Sequence, residues 1–182
     1  MTVKKVIAEC LVKMGGKDFT NNSEYTADEQ ELLDALLAAL NIVYREIVSE
    51  YLPLTECEEV EFEDGVLKIS KLSKRILYPV RVTRGDEVKA FKAYPDRIAV
   101  NFSGKAMLEY AYMPNNEFEI SDSISDLRLT ESALSDGTLG EYYFANKVFD
   151  LAKSFDTSFR DKLGLLRYKG KRLRVKERRW QP

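Results

Sequence analysis

Val3, Val6, Ile7, Cys10, Leu11 and Met14 recur at the three- and four-residue spacing of one helix face, and the Gly15-Gly16 pair behind them is the punctuation that ends a helix. The pattern predicts a short amphipathic helix over 3–14. After the polar stretch KDFTNNSEY, Thr26-Ala27-Asp28-Glu29 forms a capping box, in which hydroxyl and carboxylate each satisfy a backbone donor that the first turn leaves open. A long helix is predicted from there to about Tyr51, where Pro53 stops it. Its stripe is Leu33, Leu36, Leu37, Leu40, Tyr44, Ile47 and Tyr51, widened by Leu32, Ile42, Val43 and Val48. At a rise of 1.5 Å per residue it would be about 37 Å long, more than a small bundle needs. Either its own chain buries it on most sides, or part of the stripe meets a neighbouring subunit.

From Glu58 to Met113 the period changes to two. Val60 and Phe62 alternate with Glu59, Glu61 and Glu63, Asp64-Gly65 supplies a hairpin turn, and Val66-Leu67-Lys68-Ile69 returns. Further strands are predicted at 77–82, 88–94, 97–102 and 107–113, with Arg84-Gly85-Asp86 and Pro95-Asp96 as turns. The result is a β-rich insertion of five or six short strands. Pro114-Asn115-Asn116 closes it, and an acidic linker leads to Thr130, the N-cap of a helix predicted from Glu131 to about Ser154. Gly137 and Gly140 inside that helix cost about 1 kcal/mol each in propensity, which points to close backbone packing. A last short helix carries Phe159, Leu163 and Leu166. The fold class read from this order is α+β: a bundle of about four helices built from 1–55 and 115–167, a β-rich insertion over 56–114, and an extended basic tail over 168–182.

Charge separates that tail from the rest. Arg167 to Arg179 contains eight of the chain's 28 basic residues and one of its 30 acidic ones, a local charge of +7, which leaves −9 on the preceding 166 residues. Within it Leu173 and Val175 alternate with Arg172, Arg174 and Lys176, and Tyr168 and Trp180 stand at its ends. Basic residues flanked by aromatics can serve nucleic acid through phosphate contacts and stacking. A terminal charge run is also an ordinary solvated end. The alternation and Trp180 suit an extended segment that docks on a protein by strand-like pairing with charged guides.

Composition removes several chemistries. The 182 residues include no histidine, so Ser-His-Asp and Cys-His nucleophile sets, histidine-based zinc sites and the commonest general base are all missing. Gly15-Gly16-Lys17 lacks the spacing of a phosphate loop. The acids Glu56, Glu58, Glu59, Glu61, Glu63 and Asp64 follow strand alternation and match no calcium-loop spacing. An enzyme, a metal site and a cofactor are therefore not expected. The longest apolar run, 35–44, is interrupted by Asn41 and too short for a membrane span, and the N-terminus does not read as a signal peptide. Cys10 and Cys57 have no framework spacing, in keeping with a reducing cytoplasm as the place of synthesis.

Taken in order, these parts resemble one family. A short helix, a long helix, a β-rich insertion, EYAYMPNN, an acidic linker, LTESAL leading to GTLGEYYFANKVFDLAKSFDTSFRDKL, and a basic tail are similar to the head-tail adaptor (connector) proteins of tailed bacteriophages and prophages, in particular the tail tubular A or gatekeeper-like proteins. The resemblance covers nearly the whole chain and lies in the order of elements, the EYYFAN helix and the F-x-x-x-F-x-x-x-L helix after it. It implies a structural, non-catalytic virion protein of the head-tail neck. Such a protein forms a ring, commonly a dodecamer, below the portal, extends the DNA channel without gripping DNA, and docks the next tail or nozzle component. The segment matching the family's portal-contacting end is Tyr168, Lys169, Lys171, Arg172, Leu173, Arg174, Val175, Lys176, Arg178, Arg179 and Trp180. The alternative reading of these residues is a nucleic-acid-binding accessory protein.

Overall fold

A computed structural model describes residues 1–115, 117–124 and 129–169, with the side chains of 166–169 left aside. The fold is α+β and divides into two compact units, one of Met1–Val43 with Phe118 onward, the other of Tyr44–Glu117.

The first unit contains α1 (Val3–Lys13), most of α2 (Ala27–Glu46), α3 (Glu131–Ala145) and α4 (Phe149–Lys169). Gly15, at φ +77, takes the left-handed turn that closes α1, with Gly16 N donating to Leu11 O at 2.9 Å. At the start of α2 the Thr26 N–H donates to Glu29 Oε2 at 2.8 Å and Glu29 N to Thr26 Oγ1 at 3.3 Å, the reciprocal pair of a capping box. Thr130 caps α3 by accepting from Ala133 N at 3.1 Å.

The helix over 131–154 expected from the sequence is two helices. Lys147 at φ +62 turns the chain, the Asn146 side chain donates to Tyr142 O at 2.9 Å, and Val148 N donates to Tyr143 O at 2.9 Å. The apolar spacing runs unbroken across this turn, so periodicity alone joined the two. The short last helix is instead the second half of the 21-residue α4, which continues past Gly164 through Tyr168 and Lys169. The segment read as an extended tail from 168 therefore begins helical.

α3 is buried on all sides from Ala133 to Gly140. Its glycines are the reason. A Cβ on Gly137 would stand 2.7 Å from Val43 Cγ1 of α2 and 3.0 Å from the Phe159 ring of α4, and one on Gly140 would stand 3.3 Å from the Asp156 backbone nitrogen. The N-terminus is pinned to 122–124, with Val3 N donating to Asp122 O at 3.0 Å and Ile124 N to Met1 O at 2.9 Å. Asn41, a buried polar residue of α2, accepts from Phe118 N at 2.8 Å.

The second unit opens with a π-helical turn, Ile47–Tyr51, that prolongs α2 before Pro53. Seven strands follow in two antiparallel sheets. β1 (Leu54–Phe62), β7 (Gly104–Tyr112), β3 (Ile76–Arg84) and β4 (Glu87–Lys89) form one in that order, and β2 (Val66–Lys68), β6 (Arg97–Val100) and β5 (Phe91–Ala93) the other. Their core includes Val60, Phe62, Leu67, Val82, Ile98 and Leu108. Asp64 and Gly65, both at positive φ, make the two-residue hairpin turn, and a Cβ on Gly65 would lie 2.6 Å from Val100 O. The single strand predicted at 88–94 is two, because the chain changes sheet at Ala90: Val88 stays 65% exposed on one, while Phe91 packs on the core from the other.

Candidate functional site

The residues singled out for binding lie at and beyond the end of α4. Tyr168 and Lys169 belong to its last turn; Lys171, Arg172, Leu173, Arg174, Val175, Lys176, Arg178, Arg179 and Trp180 lie outside the described residues. Upstream of that segment, α4 is held to its neighbours.

The tie is a partly buried ion cluster centred on Asp136. Asp136 projects from α3 with its side chain only 5% exposed. Its Oδ1 accepts from Lys13 Nζ of α1 at 2.6 Å, and its Oδ2 accepts from Lys162 Nζ and Ser158 Oγ of α4, each at 2.5 Å. Lys13 Nζ also donates to Ser135 Oγ at 2.6 Å and pairs with Glu9 at 2.9 Å, and Lys162 Nζ donates to Ser132 Oγ at 2.6 Å. Two cations face two carboxylates, so the cluster is neutral and its charges are hydrogen-bonded, the condition under which a buried charge is tolerated. Burial alone would push Asp136 up, but the hydrogen bonds from Lys13, Lys162 and Ser158 together hold it below the ordinary carboxylate range. For Lys13 burial likewise works against the charge, and the bonds to Asp136 and Glu9 overcome it, raising its pKa.

Lysine beside serine invites a nucleophilic reading. A base of that kind must be neutral, and Lys13 is held charged. Nearby Cys10 donates to Ser135 O at 3.7 Å, and burial pushes its thiol up to about 12, so the thiolate is absent at neutral pH. The arrangement ties α1, α3 and α4 together and fixes the helix from which the basic segment departs.

In the second unit the acidic strand is distributed. Glu59 pairs with Lys105 at 3.0 Å, Glu63 with Lys71 at 2.6 Å and Glu56 with Lys74 at 2.5 Å. Glu58 Oε2 accepts from Ser73 Oγ at 2.5 Å and Tyr110 OH at 3.1 Å. Among the described residues no three His, Cys, Asp or Glu side chains gather as metal ligands, and no helix is long and apolar enough to cross a membrane.

Two surface features went unnoticed in the sequence. At the α3–α4 turn Phe144 is 61% and Phe149 59% exposed, their rings 5.9 Å apart edge to face, with Val148 and Leu151 exposed beside them. In the second unit an open cavity of about 760 Å³ lies between Ile69–Pro79 and Ala93–Pro95, above the buried Ile98. No local signal marks it, since strands from two sheets make it. No protein-family model matches the chain, and no curated protein matches it in sequence.

Proposed function

We propose that the chain is a structural head-tail adaptor of a tailed bacteriophage. In this reading the four helices form a bundle whose copies assemble as a ring, commonly a dodecamer, below the portal in the virion neck. The ring extends the DNA channel, contributes no catalysis, and offers its far side to the next tail or nozzle component. Tyr168 to Trp180 reaches the portal, with Leu173, Val175 and Trp180 as anchors and the arginines and lysines as guides.

The observation that carries the reading is the chain's layout. One helical unit draws on both ends of the chain around an inserted β-unit, and the most basic segment follows directly on a helix clamped by Asp136. A body of −9 before a segment of +7 also suits a lumen that repels phosphate while its end seeks an acidic protein surface. The test is to mix the purified chain with the portal protein encoded in the same genome and image the product. A ring of this chain on one face of the portal is expected. A genome with no portal gene, or a portal that stays bare, would contradict the proposal.

A further inference from the structure

We infer that the open edge of β1 takes up residues 171–176 of a second copy as an added strand. The inference rests on the adaptor reading only in its premise that copies of the chain meet. It concerns copies that have not reached a portal, which would compete for the same segment.

β1 is nine residues long, ends the order of its sheet and pairs with β7 from Leu54 to Phe62 without a shift in register. Among the described residues no strand pairs with its other side, where alternate residues turn N–H and C=O outward; only Glu63, beyond its end, bridges to Val66. An unpaired edge of that length is a template for another chain, and proteins blunt such edges with short strands, bulges, proline or lysine. The other edges of this unit are blunted in those ways. β2, β4 and β5 have three residues each, and the start of β3 that β4 leaves uncovered carries two register irregularities and Pro79. β1 contains no bulge, proline or lysine.

Spacing and charge select the occupant. Along β1 Glu59 and Glu61 are exposed while Val60 and Phe62 are buried, so one side of the strand is acidic and the other apolar. The stretch 171–176, KRLRVK, alternates in the same way, Arg172, Arg174 and Lys176 against Leu173 and Val175. Laid beside β1 in either direction, it sets its cations next to the glutamates whenever Leu173 and Val175 extend the apolar side, and both faces match at once. Of the six carboxylates in 56–64, lysines meet three: Glu56, Glu59 and Glu63. Glu58 is held by the neutral Ser73 and Tyr110, and Glu61 and Asp64 make no ion pair among the described residues. The edge therefore stays acidic with Lys71, Lys74 and Lys105 counted, facing a segment of four cations and no acid.

Six extended residues span about 20 Å, well within the roughly 30 Å of a nine-residue strand. In strand addition the main-chain hydrogen bonds supply the affinity and the alternating side chains the specificity, so no large apolar patch is required. The segment follows α4 after a single residue, Gly170, and a strand presented on a helix end without a linker is placed for donation to a neighbour.

The experiment uses Cys57, which is exposed on the glutamate side of β1, while Cys10 is buried. Paired residues on adjacent strands lie about 4.5–5.5 Å apart, within disulfide reach, whereas side chains on opposite faces point apart. Full chains carrying Arg172→Cys, Arg174→Cys or Lys176→Cys, and Leu173→Cys or Val175→Cys as the opposite-face set, are oxidised mildly and run on non-reducing denaturing gels. At least one of the first three should give dimers and longer multimers that vanish when Cys57→Ser is added, and the second set should give several-fold less. Adding Glu59→Lys with Glu61→Lys, both at exposed positions, should also cut the yield several-fold although Cys57 stays in place. No link in the first set, equal yields from the two sets, or links that persist with Cys57→Ser overturn the proposal. So does a link closed within one chain, which leaves the mass monomeric. None of these outcomes bears on portal binding, which the imaging of portal mixtures reads separately.

Discussion

Replacing Asp136 by Asn keeps the shape of the side chain and removes its charge. Lys13, Lys162 and Ser158 would then offer three donors to one carbonyl oxygen, and the amide nitrogen would face an ammonium. Breaking a fully buried ion pair costs about 3–5 kcal/mol. Here Lys13 and Lys162 keep 24% and 34% of their side chains exposed and can turn partly to water, so the expected loss is about 2–3 kcal/mol, roughly 5–12 °C in Tm. The sign of the pH dependence follows from the depressed carboxyl. A folded-state pKa below the ordinary 3.8 contributes stability that is fully present above that value and disappears as the pH falls through the folded pKa. The gap between wild type and Asp136→Asn should therefore be constant from pH 7 to about 5 and close on acidification below 3.8. Thermal melts of both proteins across that range measure it. A variant that melts within 2 °C of wild type at pH 7, or a gap independent of pH down to acid, would refute the idea that this cluster clamps the helices.

Gly137→Ala should lower stability by about 1–3 kcal/mol in urea unfolding although alanine is the better helix former, since its Cβ would press on Val43 and Phe159; Gly140→Ala should cost less. Glu59→Gln, Glu61→Gln and Glu63→Gln together should change Tm little, and divalent cations should not stabilise the parent protein; a metal-induced rise that vanishes in the triple variant would revive a metal role. Ending the chain at Lys169 should leave the melting transition nearly unchanged, because the apolar faces of both units precede that residue. Neutralising Arg172, Arg174, Arg178 and Arg179 should affect portal binding no more than Leu173→Ser with Trp180→Ala, whereas DNA binding lost with the arginines alone, its salt slope falling by roughly one per contact, would favour the nucleic-acid reading.

The elements legible in the sequence were those with local causes. Thr26 and Glu29 announce a helix start, Asp64-Gly65 a hairpin and Pro53 a stop through chemistry contained within a few residues. Gly137 and Gly140 spoke through their cost, and close neighbours meet them. The turn at Asn146–Val148 was hidden because apolar residues keep helical spacing across it, and an asparagine side chain with a left-handed lysine does what glycine usually does. The division of 88–94 was hidden because strand alternation does not say to which sheet a strand belongs. Asp136 was missed for a deeper reason. Its partners stand 123 positions earlier and 26 later, so only the tertiary fold turns an acid among small residues into the centre of a clamp. The exposure of Phe144 and Phe149 had no local signal, since periodicity reports which residues share a face and not whether anything covers it.

The adaptor account rests most directly on what the segment beyond Lys169 binds. Binding of the full chain and of a chain ending at Lys169 should be measured side by side, to immobilised portal protein from the same genome and to duplex DNA, at physiological salt and at several salt concentrations. The account predicts that the full chain binds portal and only weakly DNA, and that the shortened chain, folded to the same Tm, loses portal binding. Tight DNA binding by the full chain that falls steeply with salt, with portal binding absent or unchanged by the truncation, would contradict it.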